Sequence, residues 1–292
     1  MGRNRAAVGS PTAAQRTVSI RRSVQDCCIV MYWSLTNLRN YRVHAIDGQI
    51  GALHDILFDD REWVVRYLVV DTEVWLPGPK ILISPLAVGR TAFITHQVRM
   101  LLTRDQIKDA PSAGADSSIS RQEEARLAEY YDWPTYWAPP GRVATPAHVQ
   151  HQPGEQARET RIGSGNDGPH LRSVREVVGY RIETHDDGAI GHVEDLIGHD
   201  TDWAIRYLVV DTRYWLPGKR VIVPPTWVED IHWKQARLRV DLRKGQIEDA
   251  PAYDPAMPIR REYEKQVYDF YGRPAYWCGP QTDTEDRRRT SE

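Results

Sequence analysis

The 292-residue chain carries 38 Lys and Arg against 40 Asp and Glu, a formal charge of −2, with 41% hydrophobic and 27% charged residues. That balance fits about two domains of soluble globular protein and excludes a wholly disordered chain. No run approaches the ~20 apolar residues of a spanning helix, and the near-neutral charge offers phosphate backbones no general attraction.

Charge is uneven along the chain. Residues 1–34 hold five arginines (Arg3, Arg5, Arg16, Arg21, Arg22) against Asp26, a net +4, which leaves −6 on residues 35–292. This Arg- and Ser-rich segment lacks the apolar core and cleavage site of a secretory leader, so a disordered arm is expected, or a start at Met31. Cys27, Cys28 and Cys278 form neither a disulfide framework nor a spaced metal pair, which points to a reducing, cytoplasmic setting.

A repeat organises the remainder. Residues 47–85 match residues 187–225 at 19 of 39 positions without a gap, at an offset of 140. RYLVVDT stands at 66–72 and again at 206–212, and the same offset pairs QIKDAP (106–111) with QIEDAP (246–251). It also pairs Pro134, Tyr136 and Trp137 with Pro274, Tyr276 and Trp277. One unit therefore runs over 35–138 and its copy over 171–279, followed by a charged tail, 280–292. Between the units, residues 139–170 hold five Pro and five Gly with little apolar periodicity, the composition of a flexible linker. As a coil, such a linker spans about 30 Å, enough for the units to meet.

Within a unit the pattern is β. NYRVHA and IDGQIGALHDILF flank an Asp47–Gly48 hairpin turn. WVVRYLVVDT follows, apolar on both faces as a strand inside a barrel or sandwich would be. After the turn at Leu76–Pro77–Gly78 come strands at KILIS and VRMLL. VEDLI, WAIRYLVVDT, KRVIV and RLRVDL repeat the order, and Leu238, Val240 and Leu242 alternate with polar residues. Five or six short strands with tight turns predict a small, closed or nearly closed barrel. A helix ends each unit. ISRQEEARLAEYY opens with Ser120 and Glu123 spaced as a capping box, and IRREYEKQVYDFY sets Ile259, Tyr263, Val267, Phe270 and Tyr271 on one stripe.

With these segments the units resemble the PRC-barrel family. The residues that carry the resemblance are YRVHAIDGQIGALHDILFDD, WVVRYLVVDT and KILISP in the first unit, and YRIETHDDGAIGHVEDLIGHD, WAIRYLVVDT and KRVIVPP in the second. The resemblance implies a mainly β fold of two duplicated PRC-type barrels, each with a C-terminal helix. The tails ending in PTYW and PAYW look like those of bacterial tandem PRC-barrel proteins. Family barrels serve as adaptors, in a photosynthetic reaction centre and in a ribosome maturation factor, so a non-catalytic assembly role is implied; the alternative is an RNA- or ribosome-associated factor.

Candidate sites follow from the repeat. Asp71 and Asp211 end the duplicated strand beside Thr72 and Thr212. Such carboxylates can act as general bases, but neither copy supplies a partner acid or nucleophile, and the pattern suits strand-end hydrogen bonding. His44, His54 and His96 have no His at matching positions of unit two, so no metal site shared by the repeats is expected. His185, Asp186 and Asp187 lie on the hairpin turn, where polar residues are expected in any case. No phosphate-loop or dinucleotide pattern occurs, and no cofactor is expected. The aromatics are the candidate interaction surface: Trp75, Leu76, Trp133, Tyr136, Trp137, Trp215, Leu216, Tyr276 and Trp277. They either close the ends of their own barrel or anchor an interface, including one between the two barrels.

The expectation is a protein-binding module of unknown partner whose barrels pair within the chain. Cutting residues 139–170 to a few residues should break that pairing or force chains to exchange units, read as a rise in mass by light scattering. Small-angle scattering from the intact chain that resolved two independent bodies would refute the pairing.

Overall fold

The computed structural model of the chain describes residues 31–72, 80–92, 95–111, 119–137, 171–186, 188–212 and 218–277. The arm before Met31, the linker 139–170, the three cysteines, Trp75, Leu76, Trp215 and Leu216 lie outside the described residues.

The first barrel comprises β1 (Tyr32–Ser34), α1 (Leu35–Leu38), β2 (Arg42–Ala45), β3 (Gly48–Asp59), β4 (Val64–Asp71), β5 (Ile81–Ile83), β6 (Val88–Ala92) and β7 (Gln97–Met100), then α2 (Arg104–Lys108) and α3 (Arg121–Tyr131). Its copy comprises β8 (Leu171–Ser173), α4 (Val174–Val177), β9 (Arg181–Thr184), β10 (Ala189–His199), β11 (Ile205–Asp211), β12 (Arg220–Val223), β13 (Val228–His232) and β14 (Arg237–Val240), then α5 (Lys244–Asp249) and α6 (Arg261–Tyr271). The sheets run in the orders β5-β4-β3-β2-β7-β6 and β12-β11-β10-β9-β14-β13. Every neighbour pair is antiparallel except β2–β7 and β9–β14. The chain is therefore mainly β, with two duplicated barrels each carrying a C-terminal helix.

The repeated strand is buried on both faces, as its composition predicts: Leu68, Val69 and Val70, like Leu208 and Val210, are fully buried. Its Asp–Thr end sets the glycine of the preceding hairpin. A Cβ at Gly51 would lie 1.8 Å from the carbonyl oxygen of Asp71, and one at Gly191 would lie 1.9 Å from that of Asp211. DGxIG and VVDT are thus two halves of one contact, in which a backbone crosses where no side chain fits. Strand β6 carries no clear period in the sequence. It pairs with β7 through a register shift between Val88 and Thr91, the kind of irregularity that erases alternation.

The largest departure from expectation is at the start. Residues 32–34, placed with the N-terminal arm on composition, form a strand, because their pairing partner lies in the other barrel. β1 pairs with β10, matching Tyr32 to His199, Trp33 to Gly198 and Ser34 to Ile197. Reciprocally, β8 pairs with β3, matching Leu171 to Asp59, Arg172 to Phe58 and Ser173 to Leu57. Each barrel completes its sheet with the other's leading strand.

The same polar lock holds both exchanges. Ser34 donates from Oγ to Asp195 Oδ2, and the Thr36 amide donates to Asp195 Oδ1 at 3.0 Å. Ser173 donates to Asp55 Oδ2 at 2.5 Å, and the Arg175 amide donates to Asp55 Oδ1 at 3.3 Å. Both serines also cap the short helices α1 and α4, accepting from Asn37 and Glu176 amides. Burial raises the Asp195 carboxyl, and the hydrogen bonds from Ser34 and Thr36 oppose that rise.

Between the exchanged strands the repeats touch through tryptophan. Trp63 and Trp203 sit at φ +55° and +56°, a left-handed conformation that a bulky side chain adopts only when its surroundings hold it. Their carbonyls point across the boundary, Trp63 accepting from the Ile205 amide at 2.7 Å and Trp203 from the Val65 amide at 2.9 Å. Trp33 packs edge-on against Trp203 with centroids 4.7 Å apart.

Replacing Asp195 or Asp55 with Ala strands a half-buried serine hydroxyl and an amide at the exchange. Each change should lower unfolding free energy by about 1–3 kcal/mol, read from the midpoint of urea denaturation. An unchanged midpoint in both variants would show that the locks contribute nothing to the exchanged form.

Candidate functional site

The tail helices are held down by a buried carboxylate, once in each barrel. In the second barrel, α6 turns Glu264, Val267, Tyr268 and Tyr271 inward at helical spacing. Phe270, placed on the buried stripe by its spacing, is instead 42% exposed. The inward face is rotated toward 264, 268 and 271, because Glu264 has partners to meet beneath the helix.

Those partners come from three parts of the chain. Tyr207 of β11 and Tyr32 of the exchanged β1 each donate from Oη to Glu264 Oε1 at 2.5 Å. Tyr276, beyond the helix, donates to the same oxygen at 3.2 Å. Arg261, one turn before Glu264, pairs with Oε2 at 3.0 Å. Arg206 and Arg261 lie over the Tyr276 ring at 4.6 Å and 5.6 Å, and Arg261 also covers Trp277 at 4.1 Å.

At an offset of 140 the first barrel builds the same cage. Tyr67 and Tyr136 donate to Glu124 Oε2 at 3.3 Å and 2.8 Å, and Arg121 pairs with Oε1 at 3.3 Å. Arg66 lies 3.9 Å over Tyr136, and Arg121 lies 4.4 Å over Trp137. One donor differs. The position of Tyr32 is taken by Leu171, which packs with Leu57, Tyr67 and Leu127, so Glu124 has two phenols where Glu264 has three.

Burial dominates the electrostatics. It raises the Glu124 carboxyl above its ordinary 4.5, against the hydrogen bond from Tyr136 and the charge of Arg121. Burial first, then the neighbouring carboxylate, pushes Tyr67 and Tyr207 far above the usual phenol range, so both remain protonated donors. A carboxylate surrounded by phenols and one guanidinium is well satisfied, and its lone pairs are engaged in fixing a helix to a sheet.

Of the aromatic candidates that are described, Tyr136, Trp137, Tyr276 and Trp277 all belong to these cages. Trp133 stacks on Tyr131 at the end of α3 with centroids 4.1 Å apart. Asp211 is 2% exposed, with His192 Nε2 3.7 Å from its carboxylate, and Thr212 donates to the Lys219 carbonyl at 2.8 Å. Asp71, its counterpart, is half-buried at the same strand exit. Glu124, Glu264, Tyr67 and Tyr207 escaped the reading of the sequence. Their signal was present in the repeat, as a glutamate and a tyrosine that recur at the same offset as the tails.

The sheet order, parallel seam and appended helix define a small barrel-type β domain present twice. A family model for the PRC-barrel domain matches residues 169–247, from the linker's end into α5. A search among curated proteins returned no match.

A raised Glu124 sets a pH dependence. The folded state holds this proton at pH values where the unfolded chain has released it. The group's contribution to stability is therefore largest in acid and declines as pH rises from the ordinary carboxylate range through the raised value. Glu124→Gln should flatten that part of the stability–pH curve in urea denaturation between about pH 4 and 7; an unaltered curve would mean that Glu124 titrates normally.

Proposed function

We propose that the chain is a non-catalytic assembly module that works through protein–protein contact, its two barrels serving as one body. The PRC-barrel match over residues 169–247 supports a module of this kind. No helix among the described residues is long and apolar enough to cross a membrane.

The observation that carries the reading is a pair of aliphatic side chains left on the surface of the first barrel. Ile46 and Leu101 are 69% and 61% exposed. They lie at the same end of the parallel β2–β7 seam, where the Ile46 amide donates to the Leu102 carbonyl at 2.9 Å. Leu101 lies over Gly89, whose missing Cβ would stand 3.1 Å from Leu101 Cδ2. At the equivalent places the second barrel carries His185, Asp241 and Glu229, so the fold does not require apolar groups there. Neighbouring exposed aliphatics are what a partner's apolar anchor would cover. Of the described aromatic candidates, Tyr136 bonds to Glu124 of its own barrel, whereas Tyr276 also meets Tyr32 of the exchanged strand at 2.7 Å.

Ile46→Asp combined with Leu101→Asp should leave the melting temperature within about 2 °C of wild type, since surface changes away from the core shift stability little. It should also abolish recovery of a stoichiometric protein partner by affinity capture from native extract. Retention of the partner by the double variant would refute this surface. Recovery of nucleic acid whose binding falls steeply with salt would refute the protein-contact reading altogether.

A further inference from the structure

The rim that is apolar on the first barrel carries three metal-ligating groups on the second. We infer that His185, Glu229 and Asp241 form a binding site for a divalent transition-metal ion of the zinc class. One ligand atom from each lies within 4.8 Å of the other two, and His185 Nδ1 is 3.4 Å from Glu229 Oε1.

The backbone sets this arrangement through three neighbouring strands. His185 directly follows β9, and its amide donates to the Leu242 carbonyl at 2.9 Å. Asp241 directly follows β14, and its amide donates to the Trp227 carbonyl at 2.8 Å. The parallel register of Val240 with Thr184 brings the next residues, Asp241 and His185, side by side. Glu229 lies in the register shift between Val228 and Asp230, where β13 carries an extra residue opposite β14. Such a bulge redirects a side chain, and here it gathers Glu229 with Asp241.

The first barrel has the same backbone and none of these groups. The amide of Ile46 bonds to Leu102, and that of Leu101 to Ala87, as His185 bonds to Leu242 and Asp241 to Trp227. Three positions far apart in sequence thus hold Ile46, Gly89 and Leu101 in one repeat and His185, Glu229 and Asp241 in the other. Neither the hairpin turn nor the sheet needs this polar set, since the sister barrel builds both without it.

The donors select the ion. Tetrahedral coordination at about 2.0–2.2 Å places neighbouring ligand atoms roughly 3.3–3.6 Å apart. His185 and Glu229 already stand at that separation, and Asp241, whose ligand atom lies within 4.8 Å of both, completes the tripod by moving toward them. One imidazole with two carboxylates suits zinc or cobalt, whereas calcium and magnesium favour oxygen ligands alone. Three protein ligands leave a fourth position for water or a partner's side chain.

One group competes. Arg273 donates from Nη2 to the Asp241 carbonyl and sits 2.8 Å from Asp241 Oδ2, while its guanidinium rests 4.9 Å over the Trp227 ring. It holds the carboxylate in place and opposes a dication by charge, so the ion must outbid it for Asp241.

Titrating the full untagged chain with Zn²⁺ by calorimetry, and with Co²⁺ by visible absorption, tests the site. Saturable binding of one ion is expected, with cobalt bands of a low-coordinate N/O site. His185→Ala and Glu229→Gln should each weaken zinc binding by about tenfold or more without shifting the melting temperature. Arg273→Gln should tighten it. No saturable binding below about 1 mM, or affinity undiminished in both His185→Ala and Glu229→Gln, would overturn the assignment. Weaker binding in Arg273→Gln would overturn it as well, because the arginine would then be supporting the ion.

Discussion

Each barrel lacks a strand of its own and takes it from the other. β1 and β8 are three residues each, far too short to hold a position alone, and each pairs with the long second hairpin strand of the opposite repeat. The helices α1 and α4, the serine–aspartate locks and the left-handed Trp63 and Trp203 all lie at these crossings. So does the second barrel's cage, since Tyr32 reaches Glu264 only because β1 has crossed over. Separating the barrels would expose the free edges of β3 and β10, remove a phenol from a buried carboxylate and leave Asp55 and Asp195 without their serines. Strain at two tryptophans is tolerated because the same residues supply the backbone bonds across the boundary.

Much of the fold was legible because it is local and repeated. RYLVVDT reads as a strand buried on both faces, and its burial follows its composition. The hairpin signalled by Asp47–Gly48 joins β2 to β3, with its turn at residues 46–47 and Gly48 opening β3, and the capping box at Ser120 and Glu123 is present. What the sequence concealed is non-local. Tyr-Trp-Ser at 32–34 has no period to read, and its partner stands more than 160 residues away. A one-residue insertion in the second hairpin adds to the difficulty: the exchanged strands are related by an offset of 139, while the strands they pair with are related by 140. A fixed-offset comparison aligns Tyr32 with Arg172 and misses its true counterpart, Leu171.

The candidate site was half legible for a different reason. Aromatic tails stand out by residue type, and Tyr136, Trp137, Tyr276 and Trp277 do gather around one feature. The residue they gather around is a glutamate in a highly polar helix, where a charged side chain is ordinarily solvent-facing. Periodicity places Phe270 inward and gives no reason to bury Glu264. The structure reverses both, because a carboxylate with three phenols and a guanidinium is no longer an unpaired charge. Arg66 and Tyr67, the first two letters of the repeated heptapeptide, belong to this cage rather than to the barrel core alone.

Duplication also explains why the exchange is specific to unlike partners. Opposite the small Gly198 stands the large Trp33, and a Cβ at Gly198 would lie 2.9 Å from Leu35 Cδ2. Opposite the large Phe58, itself stacked on Trp63, stands Arg172, which extends to Asp60 and the Trp233 ring. Interchanging the two leading strands would set Trp33 against Phe58 and leave Arg172 beside a glycine. Two identical barrels could exchange strands with any copy of themselves. Once volumes differ on the two sides, each strand fits one acceptor, and a chain carrying both is complete within itself. The same freedom to diverge separates the two rims: with the exchange and the cages held in common, the hairpin end of each barrel can change, to apolar residues in one copy and to ligating groups in the other.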